Sequence, residues 1–420
     1  MIEKMRKALE AKGYDQIEVY AEEEKAIDCQ VSKDRIDNVE TENLRGVGIR
    51  ALVDNKVGFS YTTDPEDIRR AAEKAIKLAK LSQTKIISLP VSEEFPGVKD
   101  IFDKDTAETS EEEITESTKN AISTDRASIS EGSVSRVVGK SYILNSCGIE
   151  SSQRSTYFAT YFSANKDGQS KYRFHTRRSK YDPKYTVKKA VDLLEDSLNP
   201  QKIEGGKKEV VLTPNAQYQI FSGILYPAFN AERVQRGKSP FQNQLEEQVA
   251  SESMDITDQG TLDGGVNTRR FDREGTASRD TSLIKDGILK NYLYDIKRAE
   301  KDSVKSTGNA TGGYSSPPKI QPTNMVLKGE KGSKEEIDEA IIIDSVAGVH
   351  TANKTSGDFS LNITTGFKLE EGEKTPIEGG LFVSNIFDLL KNHKFFYGDR
   401  SEVVSLVTRN AVFRDQKIVV

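Results

Sequence analysis

The sequence predicts an α+β protein of two domains. An antiparallel sheet with helices spans residues 1–205, and a β-rich, barrel-like domain entered by a buried helix spans 206–420. Three observations carry this reading. Short β-prone stretches with alternating or continuous apolar residues recur in both halves. Capped amphipathic helices separate the strand groups of the first half. The polar run QKIEGGKK (201–208) then divides that half from a strand, Glu209 to Leu212, which leads straight into a helix.

In chain order, a helix from Ile2 to about Ala11 comes first, with Gly13 placed to end it in the left-handed conformation. IEVYAE, AIDCQVSKDRIDNVE and GVGIRALVDNKVGFSY follow as an antiparallel meander, with a turn at Asp54-Asn55-Lys56. Thr63-Asp64-Pro65-Glu66 opens an amphipathic helix to about Leu81, whose Ile68, Ala71, Ala72, Ala75 and Ala79 share one face. Ser88 to Asp105 reads as a long surface connection. Glu111 to Ile122 is a helix with acids in its first turn, where they meet the positive end of its dipole. Strands are expected over 127–139, 141–147, 156–165 and 170–178, the last two joined at Lys166-Asp167-Gly168, before a helix capped by Asp182-Pro183.

The second half opens with Thr213 as N-cap and Pro214 at the first helical position, where a missing N–H costs nothing. Ile220, Phe221, Ile224, Leu225 and Phe229 keep one apolar face. Beyond it, short strands alternate with Gly and Asp turns, among them the charged turn Arg270 to Gly275 and the hairpin at Asp286-Gly287. Two glycine-bearing loops, Lys305 to Ala310 and Gly357 to Ser360, and a helix from Ser384 to Lys391 complete the domain.

Composition excludes several classes. With 61 Lys and Arg against 66 Asp and Glu, the net charge of −5 gives no global attraction to nucleic acid. The segment KYRFHTRRSKYDPKYTVKK interleaves cations and rings as a phosphate-tracking surface does, but alternation along a half-solvated strand explains it better, so nucleic acid is not favoured as a partner. No apolar run approaches the roughly 20 residues of a membrane helix, and the charged N-terminus is no secretion signal, so no membrane association and a cytoplasmic location are expected. Cys29 and Cys147 lie far apart and read as reduced thiols. His175, His350 and His393 fall in separate elements and read as structural or surface residues; no residue of this chain is assigned as a metal ligand.

The second half resembles the TldD/PmbA family, in its PmbA (TldE) branch. RVQRGKS (233–239), TLDGGVNTRRFDREGT (261–276), IKDGILKNYLYD (284–295), KSTGNA (305–310), SGDFS (356–360) and SNIFDLL (384–390) stand in family order and spacing. The resemblance implies a dimer enclosing a substrate chamber and a connection to zinc peptidases. In the TldD branch the buried helix carries HExxxH, two histidines for zinc and a glutamate that activates water, with a downstream cysteine as a further ligand. The matching positions here are Ser222, Gly223 and Pro227, and GDRSEVVSLVTRN (398–410) holds no cysteine. The chain therefore reads as a subunit with no catalytic residue and no cofactor of its own, pairing with a zinc-bearing TldD-type subunit. Loops Lys305, Ser306, Thr307, Gly308, Asn309 and Gly357, Asp358, Phe359, Ser360 are the expected contacts for an unfolded peptide held by backbone hydrogen bonds. Two alternatives stay open: a stand-alone metallopeptidase with an unrecognised site, and a homodimeric peptide-binding or scaffold protein, which the family's association with DNA gyrase modulation would suit.

Overall fold

The computed structural model describes residues 1–420. The first sheet has six antiparallel strands: β1 (Gln16–Ser32), β2 (Arg35–Val53), β3 (Lys56–Thr62), β4 (Ser128–Asn145), β5 (Glu150–Lys166) and β6 (Gln169–Arg177), in the order β3-β2-β1-β4-β5-β6. Its strands are longer than the sequence suggests. The stretches read as IEVYAE and AIDCQVSKD form one strand of 17 residues, because Glu22 to Lys25 keeps pairing with β2 and β4 although it lacks apolar residues. The first turn lies at Lys33-Asp34, both with positive φ, and was not apparent. The N-terminal helix is shorter than expected, Ile2–Met5 followed by a 3-10 turn, Arg6–Ala8.

Period-two alternation divides this sheet into two chemically different faces. Ile17, Val19 and Ala21 of β1 join Val47, Ile49, Ala51 and Val53 of β2 in a core under the helix Ile68–Leu81. Gly58 is required there, since a Cβ would come 2.0 Å from the Ala75 carbonyl. Further along, Ile27, Cys29 and Val31 pack under the helices Glu111–Ile122 and Lys184–Asp196. Ser110 and Glu113 close a full capping box on the first of these. Glu18, Tyr20 and Glu22 of β1 and Gly48 and Arg50 of β2 point the other way, towards the second domain.

The second sheet runs through β7 (Gly206–Leu212), β8 (Asp255–Gln259), β9 (Asp280–Lys285), β10 (Ile288–Leu289), then, after the small ribbon β11 (Ala310–Thr311) and β12 (Lys319–Ile320), through β13 (Met325–Lys328), β14 (Glu339–Ala347), β15 (Asp358–Glu370), β16 (Glu373–Pro376), β17 (Leu381–Asn385), β18 (His393–Val403) and β19 (Leu406–Val419). Pairings β7-β14-β15-β17-β19 return to β7, so these strands close a barrel-like ring. A branch, β13-β8-β9-β10, leaves it at β19. The helical stretch from Pro214 packs its apolar face into the largest core, with Phe221, Ile224, Leu225 and Phe229 fully buried. Strand β7 has apolar residues on both faces. Val210 and Leu212 meet this core, while Val211 joins Leu193 of the first domain in another. The cap residues read from the sequence are in place, Thr213 accepting from the Ala216 N–H at 3.3 Å.

Two polar seams lock the domains together. At the first, Glu18 accepts from Arg50 Nη2 at 2.5 Å and from Arg273 Nη1 at 3.0 Å, and Arg50 also donates to Glu274. None of the four is more than 4% exposed. Arg273 additionally stacks on the Tyr20 ring, 4.0 Å from its centroid. The turn Arg270 to Gly275 is therefore a structural plug, shaped by Asp272, whose carboxylate accepts from the Glu274, Thr276 and Ala310 N–H groups at 2.8–3.0 Å. At the second seam Arg173 grips Asp344 with two bonds of 2.8 and 2.9 Å, and Lys171 donates to the Thr364 carbonyl at 2.7 Å. Arg173 and Lys171 of the aromatic and basic strand thus contact the second domain, while Arg177 at its end is exposed.

Removing one partner from a buried ion cluster strands the others. Arg50→Ala is expected to lower unfolding free energy by about 3–5 kcal/mol, while Lys4→Ala, which breaks an exposed pair with Glu66, costs about 1 kcal/mol or less; urea unfolding of both variants checks the contrast. Burial raises the Glu274 carboxyl to about 8, against the pull of Arg50 and with help from Asp295, Asp272 and Glu18. From the ordinary glutamate range up to that value the folded chain keeps a proton the unfolded chain has released, so this contribution to stability is complete at acid pH and is lost as pH rises to 8. Glu274→Gln should flatten the decline in stability between pH 5 and 8; an unchanged slope refutes the assignment.

Candidate functional site

The helix at the start of the second domain is not uniform. It runs as an α-helix over Pro214–Ile220, a π turn over Phe221–Leu225, and α again over Tyr226–Ala228, before a separate helix at Ala231–Gln235. A π turn brings residues five apart into register. It also suits Pro227, which brings no N–H and whose ring would strike the Gly223 carbonyl in a tight α-turn. Ser222, Gly223 and Pro227 are half-buried, as are Tyr218 and Gln219 before them, while Ile220, Phe221, Ile224, Leu225 and Ala228 are in the core.

This face has the geometry of a ligand-bearing helix and the chemistry of a packed surface. Ser222 Oγ makes only a long contact of 3.4 Å with the Gln219 carbonyl. A Cβ on Gly223 would stand 2.2 Å from Val349 Cγ1, so the space in front of it is filled. Val349 belongs to the short turn Val349–Thr351, which follows β14 and packs against the helix core. Gln219 fastens the start of the same face, donating to Tyr172 Oη at 2.9 Å and accepting from the Val346 N–H at 2.8 Å. Zinc does not fit here: the three side chains offer no nitrogen, carboxylate or thiolate, a side chain at Gly223 would meet Val349, and no group of three His, Cys, Asp or Glu side chains is placed to hold a metal ion.

The histidines are dispersed. His175 packs edge-on to Tyr181 at 4.8 Å and is held down at about 4 by burial and by Arg177. His393, with neither ring nitrogen bonded, lies 4.3 Å from the Phe396 ring and is brought to about 4 by burial. His350 is exposed beside Val349. Cys29 and Cys147 are free thiols, the former buried.

The two glycine-bearing loops differ inside and out. Lys305 is exposed, and Ser306 and Thr307 half-buried, but the Ser306 and Thr307 hydroxyls both bond to the Tyr294 carbonyl, at 3.1 and 3.2 Å. Gly308, with φ of 76°, sits where a Cβ would come 2.8 Å from the Ala277 carbonyl. Asn309 is buried and donates to Asp258 at 2.6 Å and to the Gln321 carbonyl at 3.1 Å. In the other loop Asp358 and Ser360 are exposed, while Gly357 is buried and Phe359 packs 5.3 Å from Phe382. Asn385 ties this loop to the next helix, donating to Asp358 at 2.8 Å and accepting from the Phe387 N–H at 2.8 Å. The exposed parts of the two loops are Lys305, Asp358 and Ser360; the remainder shapes the turns.

Between the first sheet and the second domain lies a polar cleft of about 260 Å³ that single-sequence reasoning missed. Its residues come from strands far apart in the chain, and only their register brings them side by side.

Comparison with known proteins identifies the architecture. The family model described as PmbA/TldA metallopeptidase C-terminal domain matches residues 205–418, and those for domain 1 and the central domain match 17–79 and 99–198. The chain belongs to the PmbA/TldD family. An uncharacterized protein of Methanocaldococcus jannaschii is 34% identical over 99% of both chains. A metalloprotease of the same organism is 26% identical, over 93% of this chain and 90% of its own. The crystal structure of TldE from Thermococcus kodakarensis superimposes with a TM-score of 0.89 at 23% identity, covering 99% of both chains, which establishes the common fold. Domain 1 and the central domain of the family share a single sheet here, joined where β1 pairs with β4.

If Val349 blocks the space in front of Gly223, the two sites are energetically coupled. Gly223→Glu is expected to destabilise the chain by about 1–3 kcal/mol through overpacking, and most of that penalty should vanish in a Val349→Gly background. Thermal unfolding of the four chains of this double-mutant cycle measures the coupling; a penalty independent of residue 349 refutes it.

Proposed function

We propose that this chain is a non-catalytic, PmbA/TldE-like subunit that pairs with a zinc-bearing TldD-type subunit and shapes a chamber for unfolded peptides. One observation carries the reading: the helix face where the TldD branch holds its metal is packed by Val349 at Gly223 and bears no ligand. Loss of three side chains alone would leave a vacant pocket. Here Val349 of the neighbouring turn occupies the space, as in a surface suited to packing.

In this reading zinc and the water-activating base belong to the partner, and this chain contributes rigidity and contact surface. The two buried seams hold its domains as one body. An extended peptide would be met by the exposed Lys305, Asp358 and Ser360, with Ser306 and Thr307 beside them. Gly308, Asn309, Gly357 and Phe359 would hold those loops in shape from within. Contacts of this kind suit unfolded chains because the peptide backbone is common to all sequences.

The test is co-expression with a TldD-type protein, followed by zinc analysis and proteolysis of an unfolded substrate. The expected outcome is a stable heteromeric complex with zinc in the partner and activity that a chelator abolishes, while the isolated chain has neither stoichiometric zinc nor activity. Chelator-sensitive proteolysis by the isolated chain would refute the proposal, and so would a stable homodimer that refuses the partner, which would point to a peptide-binding scaffold.

A further inference from the structure

The interdomain cleft carries a separate inference that does not depend on the role proposed above. Its volume of about 260 Å³ is room for about nine waters. Its floor is the face of β1, β4 and β5 that points to the second domain. Register sets Glu22 opposite Ser141 and Ser141 opposite Gln153, and likewise Glu24, Gly139 and Ser155 in the next row. The facing wall supplies Arg269 together with Thr311, Gln321 and Thr323, while Lys140 and Arg178 lie on the side of the first sheet, Arg178 with its guanidinium 4.3 Å from the ring of Tyr157 on β5. Only 3 of the 19 lining residues are apolar, so the cleft is built for a polar ligand.

None of the charged side chains that line it, Glu22, Glu23, Glu24, Lys140, Arg178 and Arg269, forms a direct ion pair, although Arg269 draws the carboxyls of Asp272 and Asp258 down against their burial. Glu22 accepts from Tyr20 Oη and from the Tyr314 N–H, both at 2.9 Å and both neutral donors. Arg178 is 4% exposed, and its guanidinium donates to the carbonyls of Gly265, Thr268 and Thr156, at 3.1, 2.8 and 3.4 Å. Burial pulls its pKa below the ordinary arginine range, with Tyr157 and Glu402 acting in the opposite direction. Arg269 has one bond, to the Gly308 carbonyl at 3.2 Å, and its Nε is buried with no partner.

The geometry points to a binding site for a small zwitterion of dipeptide size, its ammonium at Glu22 and Glu24 and its carboxylate at Arg269, with Arg178 behind. A phosphate or nucleotide would be repelled by the acidic floor, and a polyamine by the guanidinium wall. Ser141, Ser155, Thr311 and Thr323 stand between the charged ends, where an amide would need partners. The site differs from the zinc-helix face, since none of Ser222, Gly223 or Pro227 lines it.

Calorimetric titration of the full chain with glycylglycine tests this, with glycine and triglycine as arms that fix the preferred length. Saturable one-to-one binding is expected, weakened at least about tenfold in N-acetylglycylglycine and in glycylglycinamide, the worth of one charged hydrogen bond. Glu22→Gln and Arg269→Gln, each with an unchanged unfolding midpoint, should lose affinity by a similar factor. Absence of saturable binding by glycine, glycylglycine and triglycine alike, or equal binding of the blocked analogues, overturns the proposal. Unchanged affinity in both variants overturns the placement of the two ends.

Discussion

Four buried ionisable side chains, Glu18 and Arg50 from the first sheet and Arg273 and Glu274 from a turn of the second domain, decide how the two halves of this protein are joined. Such a cluster contributes less to stability than the same volume of apolar side chains, but any arrangement that separates its members leaves a bare charge inside the protein. The domains therefore have one acceptable way to meet. The surrounding geometry follows from it. Tyr314 can lie across β2 because Gly46 and Gly48 leave room, a Cβ at Gly46 falling 2.1 Å from its ring, and the cleft beside it exists because polar floor and polar wall are held apart at a fixed distance.

The helix at the start of the second domain combines caps, a buried apolar side and a π turn with a half-buried face that bears no metal-ligating side chain. On that face Val349 stands where a side chain at Gly223 would project. A wide turn costs little when a proline follows it, since the bond it disrupts has no donor in any case.

Much of the fold was legible because it rests on local rules. Alternation in β1 and β2, the alanine stripe of Ile68–Leu81, the capping box at Ser110 and the Thr213-Pro214 helix start need only neighbouring residues to be recognised. The length of β1 was not legible, because Glu22 to Lys25 stays in a strand through its partners on both sides. The basic strand was ambiguous for a related reason: Arg173 and Lys171 look solvent-facing until Asp344 and Thr364 arrive from the second domain.

By itself the sequence determined the α+β character and the caps and core faces of the main helices. The closure of β7 against β19, the insertion of Val349 at Gly223, and the meeting of Glu22 with Arg269 across one cleft were decided only in the folded chain. Each of these joins residues more than a hundred positions apart, and no periodicity or turn signal encodes a contact that arises from the register of a sheet and the docking of two domains.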